Sequence, residues 1–214
     1  MTSAVILDLR KEELEREFFE PSRELAERIA SKKSEARKKE STQAYTLLAF
    51  SYKKLFGNEL PEVVFADSGK PCLKGSNIKI SISHTDGLCA VAFSKNNVGI
   101  DAEKSKSFKE KQHLIDRFVN KDLQNNLNSG NNSTEQVSFY TVKENELVAL
   151  DVSEERNTAA ERSREAARHW TSLEALLKTR DGFADIKRIN EIAKSVLVKT
   201  VYHDGFVITV AQEK

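Results

Sequence analysis

The chain has little cysteine and no strong excess of charge of either sign. Its 214 residues include two cysteines, Cys72 and Cys89, and the formal net charge is +1. The cysteines have neither metal-ligand nor redox-pair spacing, and a chain of this length needs no disulfide to stay folded. A near-neutral charge argues against a dedicated nucleic-acid binder, because such proteins usually carry a strong basic excess.

Long apolar runs are also missing from the sequence. The opening stretch 4–7 is too short for the apolar core of a signal peptide, and no run approaches the roughly 20 apolar residues that span a bilayer. We therefore expect a cytoplasmic, monomeric protein that contacts neither membrane nor nucleic acid.

What the sequence does have is charge, which is carried by 31% of its residues. Between residues 28 and 39, six basic residues are opposed by the single acid Glu35. A run of this kind is usually the solvated face of a helix. The alternative is a binding place for phosphate, and the sequence leaves both open.

The first half of the chain reads as a strand, a long helix and three short strands. The helix begins after Pro21-Ser22, with a polar interruption at 31–34. The second half repeats this order and ends in a hairpin whose turn is 203–205, His-Asp-Gly. The predicted strands of the first half are 4–9, 63–65, 78–82 and 88–93. For the second half we predict helices at 109–127 and 166–178, and strands at 98–102, 186–189, 195–202 and 206–211.

This repeated order predicts an α+β protein made of two similar α/β halves. We expect a pseudo-twofold duplication with mostly antiparallel sheets and a cleft between the halves. The halves are placed at 1–97 and 98–214, with a charged insertion at about 129–168. Within it, 152–168 has few large apolar residues, so we expect a solvated helix or an excursion that is dispensable for folding.

Two carboxylates follow one another on the strand at 98–103, Val-Gly-Ile-Asp-Ala-Glu. Asp101 and Glu103 share one strand face about 6.6 Å apart. At an effective dielectric of about 20 they repel by about 2.5 kcal/mol. A hard cation such as Mg²⁺ would remove that penalty. The alternative is a strand that enters solvent with two exposed acids.

A third carboxylate lies on the helix predicted at 166–178, in the segment 170–178, Trp-Thr-Ser-Leu-Glu-Ala-Leu-Leu-Lys. Trp170, Glu174 and Lys178 are four residues apart and therefore share a helix face. One interpretation is an ordinary surface ion pair beneath a packed tryptophan. The other is an acid and a cation that face the Asp101 strand.

Two further segments carry polar groups that suit a ligand. In the turn at 68–71, Pro71 forces Lys70 toward an extended conformation and exposes it. At 81–84, Ser-Ile-Ser-His, strict alternation places His84 on the apolar face. Either the strand ends at Ser83 and His84 turns out, or His84 is a buried structural histidine.

These motifs, taken in order, resemble a known family. Gly69-Lys70-Pro71, 81–84, 98–103 and 170–178 together resemble the signature set of the 4′-phosphopantetheinyl transferases, in particular the larger type related to the surfactin-synthetase activator. Residues 117–119, Arg-Phe-Val, also resemble that family's Arg-Phe-Phe element. The resemblance covers most of the chain from about residue 37 onward.

The resemblance implies Mg²⁺-dependent transfer of the phosphopantetheine arm of coenzyme A to a serine of an acyl or peptidyl carrier protein. It places coenzyme A in a cleft between two α/β halves. The implied metal-side residues are Asp101, Glu103 and Glu174, and the implied catalytic residues are Glu174, Lys178 and His84. The implied coenzyme A contacts are Arg37, Ser41, Lys70, Pro71, Ser83, His84 and Lys178.

The chain departs from the family pattern at two places. Leu173 stands where the family usually has a lysine, and the stretch 127–170 is longer than this type usually has. An alternative function is therefore a coenzyme A or nucleotide-binding protein without transfer activity. A third is a charged interaction module with no site.

A basic region after the acidic strand is the expected docking surface for the carrier protein. Carrier proteins of this kind are generally acidic around the modified serine, so a basic acceptor surface would attract them. The basic residues concerned are Lys104, Lys106, Lys109, Lys111, Arg117 and Lys121.

Overall fold

The structure is a computed structural model that describes residues 2–15, 19–105, 112–119, 121–130, 137–150, 161–180 and 188–214. These residues form a mixed α+β fold with mostly antiparallel sheets, as predicted. The strands are β1 (Thr2–Asp8), β2 (Val63–Phe65), β3 (Pro71–Leu73), β4 (Lys79–Thr85), β5 (Leu88–Ser94), β6 (Val98–Lys104), β7 (Val137–Lys143), β8 (Glu146–Ala149), β9 (Val196–His203) and β10 (Phe206–Glu213). The helices are α1 (Arg23–Ala30), α2 (Glu35–Phe56), α3 (Gln112–Phe118), α4 (Lys121–Gly130), α5 (Glu161–Thr179) and α6 (Ile189–Lys194).

The long first helix is divided where the sequence predicts a polar interruption. The Ser22 side chain accepts from the Leu25 N–H at the start of α1, and Ser34 accepts from the Arg37 N–H at the start of α2. Such N-caps satisfy backbone donors that have no partner within the helix. Helix α2 ends at Gly57, whose φ of +72° gives the left-handed conformation that glycine adopts without strain.

A five-stranded sheet has the order β4-β5-β1-β7-β8, and a three-stranded sheet has the order β6-β10-β9. The pairing of β1 with β7 is parallel, whereas the other pairings in these sheets are antiparallel. Strands β2 and β3 form a separate antiparallel pair.

The two larger sheets stack on one another, with helices on the outside. In β1, Val5 and Leu7 pack with the apolar side of α2, while Ala4 and Ile6 pack with residues of β6 and β10. This strand is buried on both faces, which explains why its sequence is continuously apolar rather than alternating. The outer face of the three-stranded sheet packs against α5, α4 and α6.

The last two strands form the predicted hairpin. Residues Asp204 and Gly205 have φ values of +47° and +85°, and His203 pairs with Phe206. Positive φ at both central residues defines the two-residue turn that matches strand twist.

Two sequence predictions are corrected by the described residues. A strand was predicted at 186–189, but Ile189 begins α6, while 186–187 lie outside the described residues. The stretch 152–168 was predicted to be a solvated helix or an excursion, but its part from Glu161 belongs to α5, which packs in the core. Ala166 and Ala167 are buried in the core there, because small side chains let a helix pack closely without large apolar groups. That the stretch is dispensable for folding stays a prediction.

The region assigned to an insertion also contributes strands. Strands β7 and β8 lie between residues 129 and 168, and β7 pairs with β1 in the five-stranded sheet. The boundary between halves at 97/98 stays a prediction. In the part of the chain that the structure describes, no helix is both long and apolar enough to cross a membrane.

Candidate functional site

The acidic strand β6 meets the polar face of β4. Strand β6 is an edge strand of the three-stranded sheet, and its Ile100 and Ala102 N–H groups donate to side chains of β4. The Ser81 Oγ accepts from the Ile100 N–H at 3.0 Å, and the Ser83 Oγ accepts from the Ala102 N–H at 3.3 Å. The two serine hydroxyls therefore connect the two sheets by accepting hydrogen bonds from the backbone of β6.

Both carboxylates of β6 face this junction, as strand alternation predicts. Ser83 donates to Asp101 at 2.9 Å, and Thr85 donates to Glu103 at 3.4 Å. Asp101 is only 6% exposed, so the alternative of a strand entering solvent with two exposed acids is wrong for this residue.

Lysine 178 neutralises one side of the Asp101 carboxylate. Its Nζ donates to Asp101 Oδ1 at 2.7 Å and to the Ile100 carbonyl at 3.0 Å. The other oxygen, Oδ2, is buried and has no hydrogen-bond partner among the described residues. A buried acceptor without a partner costs about 1–3 kcal/mol, so this oxygen is a ready position for a donor or a cation.

Glycine 99 allows α5 to come close enough for this contact. A Cβ at this position would lie 2.0 Å from the Ala175 carbonyl oxygen and 2.9 Å from the Lys178 Cβ. The helix backbone therefore rests directly on β6. This close approach places Lys178 over Asp101, 77 residues away in sequence.

Replacing Gly99 with alanine is expected to lower the free energy of unfolding by about 1–3 kcal/mol, the usual cost of overpacking. The obstacle is helix backbone, which cannot rotate aside as a side chain can. Urea denaturation of the variant would measure the loss. An unchanged free energy of unfolding would show that α5 is free to move away from β6.

The face of α5 that carries Glu174 and Lys178 is the less buried one. Trp170, Glu174 and Lys178 are each partly exposed, as their shared spacing predicts, while the neighbouring Leu173 is fully buried in the core. A lysine at position 173, as in the family that the sequence resembles, would therefore put a charge into the apolar core of this protein. Leucine at this position is explained by packing.

The three acids of the predicted metal site do not converge to ligand distance in this structure. Among the described residues, the group of three whose ligand atoms lie within 4.8 Å of one another is Asp8, His203 and Asp204. Asp101, Glu103 and Glu174 are outside it. The donor set of carboxylate oxygens suits Mg²⁺, and Asp101 Oδ2, which has no partner in the described part of the chain, supplies one position for it.

The Asp8 group is better explained as an ion network. Both Asp8 oxygens accept from Arg10, at 2.8 and 2.6 Å, and Lys11 pairs with Asp204. Burial raises the pKa of Asp8, but the hydrogen bonds and charge of Arg10 outweigh it and lower the pKa. Two cations already neutralise these acids, so we assign no metal to them.

A cavity of about 220 Å³ opens beside the junction of β4 and β6. It brings together Lys70, Pro71 and Lys178, which the resemblance assigns to coenzyme A. Arg180, at the end of α5, also lines it and pairs with Glu213. Sequence reasoning missed Arg180, although a second cation two residues after Lys178 was a usable indication. An adjoining cavity of about 280 Å³ shares Lys70, Pro71 and Arg180.

The strand β4 continues through His84, so the alternative in which it ends at Ser83 is wrong. Alternation puts His84 on the opposite face from Ser83, against α2. Its Nδ1 lies 3.5 Å from Glu40 Oε2. Burial lowers the pKa of His84; Glu40 opposes this effect, while the charges of Arg37, Lys32 and Lys178 lower the pKa further. The ring is half-buried rather than fully enclosed.

Arg37 and Ser41, two predicted coenzyme A contacts on α2, differ in exposure. Ser41 is buried within α2, whereas Arg37, one turn earlier, is exposed and pairs with Glu40 at 3.2 Å. The Ser83 hydroxyl is used internally by Asp101 and the Ala102 N–H. The structure therefore brings Arg37, but not Ser41, to the surface beside His84.

Much of the basic run at 28–39 is paired with acids on the helix surface. Arg28 pairs with Glu24 and lies 3.9 Å from the centre of the Phe65 ring. Lys38 pairs with Glu35, and Lys39 pairs with Glu13. The solvated-face interpretation fits these residues. Arg37 pairs with Glu40, and the charges of Arg37 and Lys32 also lower the pKa of His84.

The structure describes half of the predicted docking residues, namely Lys104, Arg117 and Lys121. Lys106, Lys109 and Lys111 lie outside the described residues. Lys104 pairs with the exposed Asp86. The docking surface stays a prediction.

Comparison with protein-family models finds no match to this chain, and comparison with curated proteins finds none either.

Proposed function

We propose that the protein transfers the 4′-phosphopantetheine arm of coenzyme A to a serine of an acyl or peptidyl carrier protein. The observation that carries the proposal is the buried Asp101, one oxygen of which is bound by Lys178 while the other has no hydrogen-bond partner among the described residues. Lys178 also lines a cavity together with Lys70 and Arg180. The positive charge of the cavity lining suits the pyrophosphate of coenzyme A.

The proposed fold adds a pseudo-twofold relation between two α/β halves. Its support is that a long helix covers the outer face of each large sheet, α2 on one and α5 on the other. The cavity beside Lys70 and Lys178 lies between β4 of the first half and α5 of the second. We place coenzyme A there.

Phosphate groups would be held by the cations that surround the cavity. Lys178 and Arg180 line it, so each can bind a phosphate oxygen once the ligand enters. Lys70 and Pro71 would border the adenine. Arg37 and His84 lie on the far face of β4 and would bind a separate phosphate group.

Asp101, Glu103 and Glu174 would hold Mg²⁺, which offsets charge on the pyrophosphate during phosphoryl transfer. Ser83 orients the Asp101 carboxylate through its hydrogen bond. Glu174 would act as a metal ligand or accept the proton of the attacking hydroxyl.

In the reaction, the carrier-protein serine oxygen forms a bond to the phosphorus that bears the pantetheine arm. The bond from that phosphorus to the bridging pyrophosphate oxygen breaks, and adenosine 3′,5′-bisphosphate leaves. The serine proton passes to Glu174 or to water. Such reactions depend mainly on positioning and charge neutralisation. Lys178 and Ser83 would contribute by holding the Asp101 carboxylate in place.

The second candidate is a coenzyme A-binding protein without transfer activity. One observation favours it: Asp101, Glu103 and Glu174 do not meet at metal-ligand distance, and Lys178 already occupies Asp101. In this alternative the cations would bind coenzyme A, and no bond would break.

Product analysis separates the two candidates. The protein would be incubated with coenzyme A, MgCl₂ and a generic apo carrier protein, and adenosine 3′,5′-bisphosphate would be measured by chromatography. We expect its release only when all components are present. Binding of coenzyme A without release would support the second candidate.

The predicted docking surface is tested by charge reversal. Changing Lys109 and Lys111 together to glutamate is expected to raise the apparent KM for the carrier protein, since charge steering speeds association and weakens with salt. Affinity for coenzyme A should be unchanged. Unaltered carrier-protein kinetics at low salt would indicate that the docking surface lies elsewhere, for example on the basic run at 28–39.

A further inference from the structure

A buried acid lies directly behind His84. Glu40, on α2, is 9% exposed, and its Oε2 faces the His84 Nδ1 at 3.5 Å. That nitrogen is buried and has no hydrogen-bond partner among the described residues. Glu40 is itself fixed from two sides, by Arg37 at 3.2 Å and by the Cys89 thiol, which donates to its backbone carbonyl. One edge of the ring is thus closed by a carboxylate.

Positive charges on several elements lower the pKa of His84. Arg37 comes from α2, Lys32 from the segment between α1 and α2, and Lys178 from α5. The β5 neighbour of His84 is Cys89, and burial raises the pKa of its thiol, so it stays neutral. Three positive charges and one buried acid therefore act on His84.

This environment keeps the free ring neutral near pH 7, because burial and the three cations lower the pKa of His84 and Glu40 alone opposes them. A bound phosphate would raise the pKa of His84, since it adds negative charge beside the ring. The two ring nitrogens would then have separate acceptors. Nδ1–H would face Glu40, and Nε2–H would face a phosphate oxygen.

We propose that Glu40 is a positioning residue whose carboxylate lets His84 bind a phosphate group as an imidazolium, with uptake of about one proton from solvent on binding. The inference rests on the proposed function for the identity of the ligand, coenzyme A. No covalent bond changes; the proton moves from buffer to the ring. Because the bound ring has the higher pKa, affinity rises as pH falls through that pKa and levels off below the pKa of the free ring.

The first measurement uses no coenzyme A. The pKa of His84 would be read by NMR in the free protein, with its resonance assigned from a His84→Gln spectrum. Glu40→Gln should lower that pKa by about one unit, and inorganic pyrophosphate should raise it in the unchanged protein. The matched control is Glu35→Gln, which removes an exposed acid paired with Lys38 on the same helix and should leave the pKa unchanged. If Glu40→Gln does not fold, Arg37→Gln should raise the pKa, because it removes a cation.

The second measurement is calorimetry of coenzyme A binding at pH 7.5 in two buffers of different ionisation enthalpy. We expect uptake approaching one proton in the unchanged protein, and about tenfold weaker binding with little uptake in Glu40→Gln. Binding without proton uptake, or a His84 pKa that neither Glu40→Gln nor pyrophosphate moves, would overturn the inference. If coenzyme A does not bind but pyrophosphate raises the His84 pKa only when Glu40 is present, the inference holds for a phosphate ligand and the proposed function fails.

Discussion

Replacing Asp101 with asparagine is expected to reduce the transfer rate by at least about 100-fold while leaving the protein folded. A carboxylate that holds a catalytic cation contributes several kcal/mol to transition-state stabilisation, and about 2.7 kcal/mol corresponds to 100-fold. Asparagine keeps an oxygen that can accept from Ser83 and Lys178, so the junction of β4 and β6 is preserved. Steady-state kinetics with saturating MgCl₂ and coenzyme A would measure the loss.

The chain offers a matched control for this substitution. Asp86 is an exposed aspartate that pairs with Lys104, so Asp86→Asn makes the same chemical change outside the candidate site. Its transfer rate should equal that of the unchanged protein. Full activity in Asp101→Asn, with intact unfolding behaviour, would refute the assignment of Asp101 to the metal.

Replacing Lys178 with methionine is expected to affect both stability and binding. The substitution leaves Asp101 Oδ1 and the Ile100 carbonyl without their lysine donor. A neutral buried acceptor without its partner costs about 1–3 kcal/mol, and a charged one such as Asp101 costs more. It also removes one of the cavity's cations, so coenzyme A should bind more weakly. Urea denaturation and calorimetry would measure the two effects.

A double variant separates the two roles of Lys178. Asp101→Asn combined with Lys178→Met removes both charges, so most of the lost stability should return, while coenzyme A binding should stay weak. Lys104→Met, which breaks the exposed pair with Asp86, serves as the control and should change neither quantity. Unchanged stability and binding in Lys178→Met would contradict the role given to this lysine.

Local patterns predicted the elements that carry the site. The alternation in 98–103 correctly placed Asp101 and Glu103 on one face of β6, and helix spacing correctly grouped Glu174 with Lys178. Both depend on neighbours within a few residues, where backbone geometry fixes direction. The hairpin turn at Asp204-Gly205 was predictable for the same reason.

The missed features depend on contacts between distant segments. Strands β7 and β8 lie in a charged region, and they join the five-stranded sheet only because β7 pairs with β1 and β8 pairs with β7. Glu40 reads as an ordinary surface acid of a charged helix until packing of α2 against β4 buries it beside His84. The ion pair of Asp101 with Lys178 likewise requires the contact of α5 with Gly99.

The intact mass of the carrier protein is the most direct test of the central claim. A generic apo carrier protein would be incubated with this protein, coenzyme A and MgCl₂, and then weighed by mass spectrometry. The account predicts a gain equal to one phosphopantetheine group, located on the acceptor serine and lost when Asp101→Asn replaces the unchanged protein. A carrier protein of unaltered mass, under conditions where coenzyme A is shown to bind, would contradict the claim.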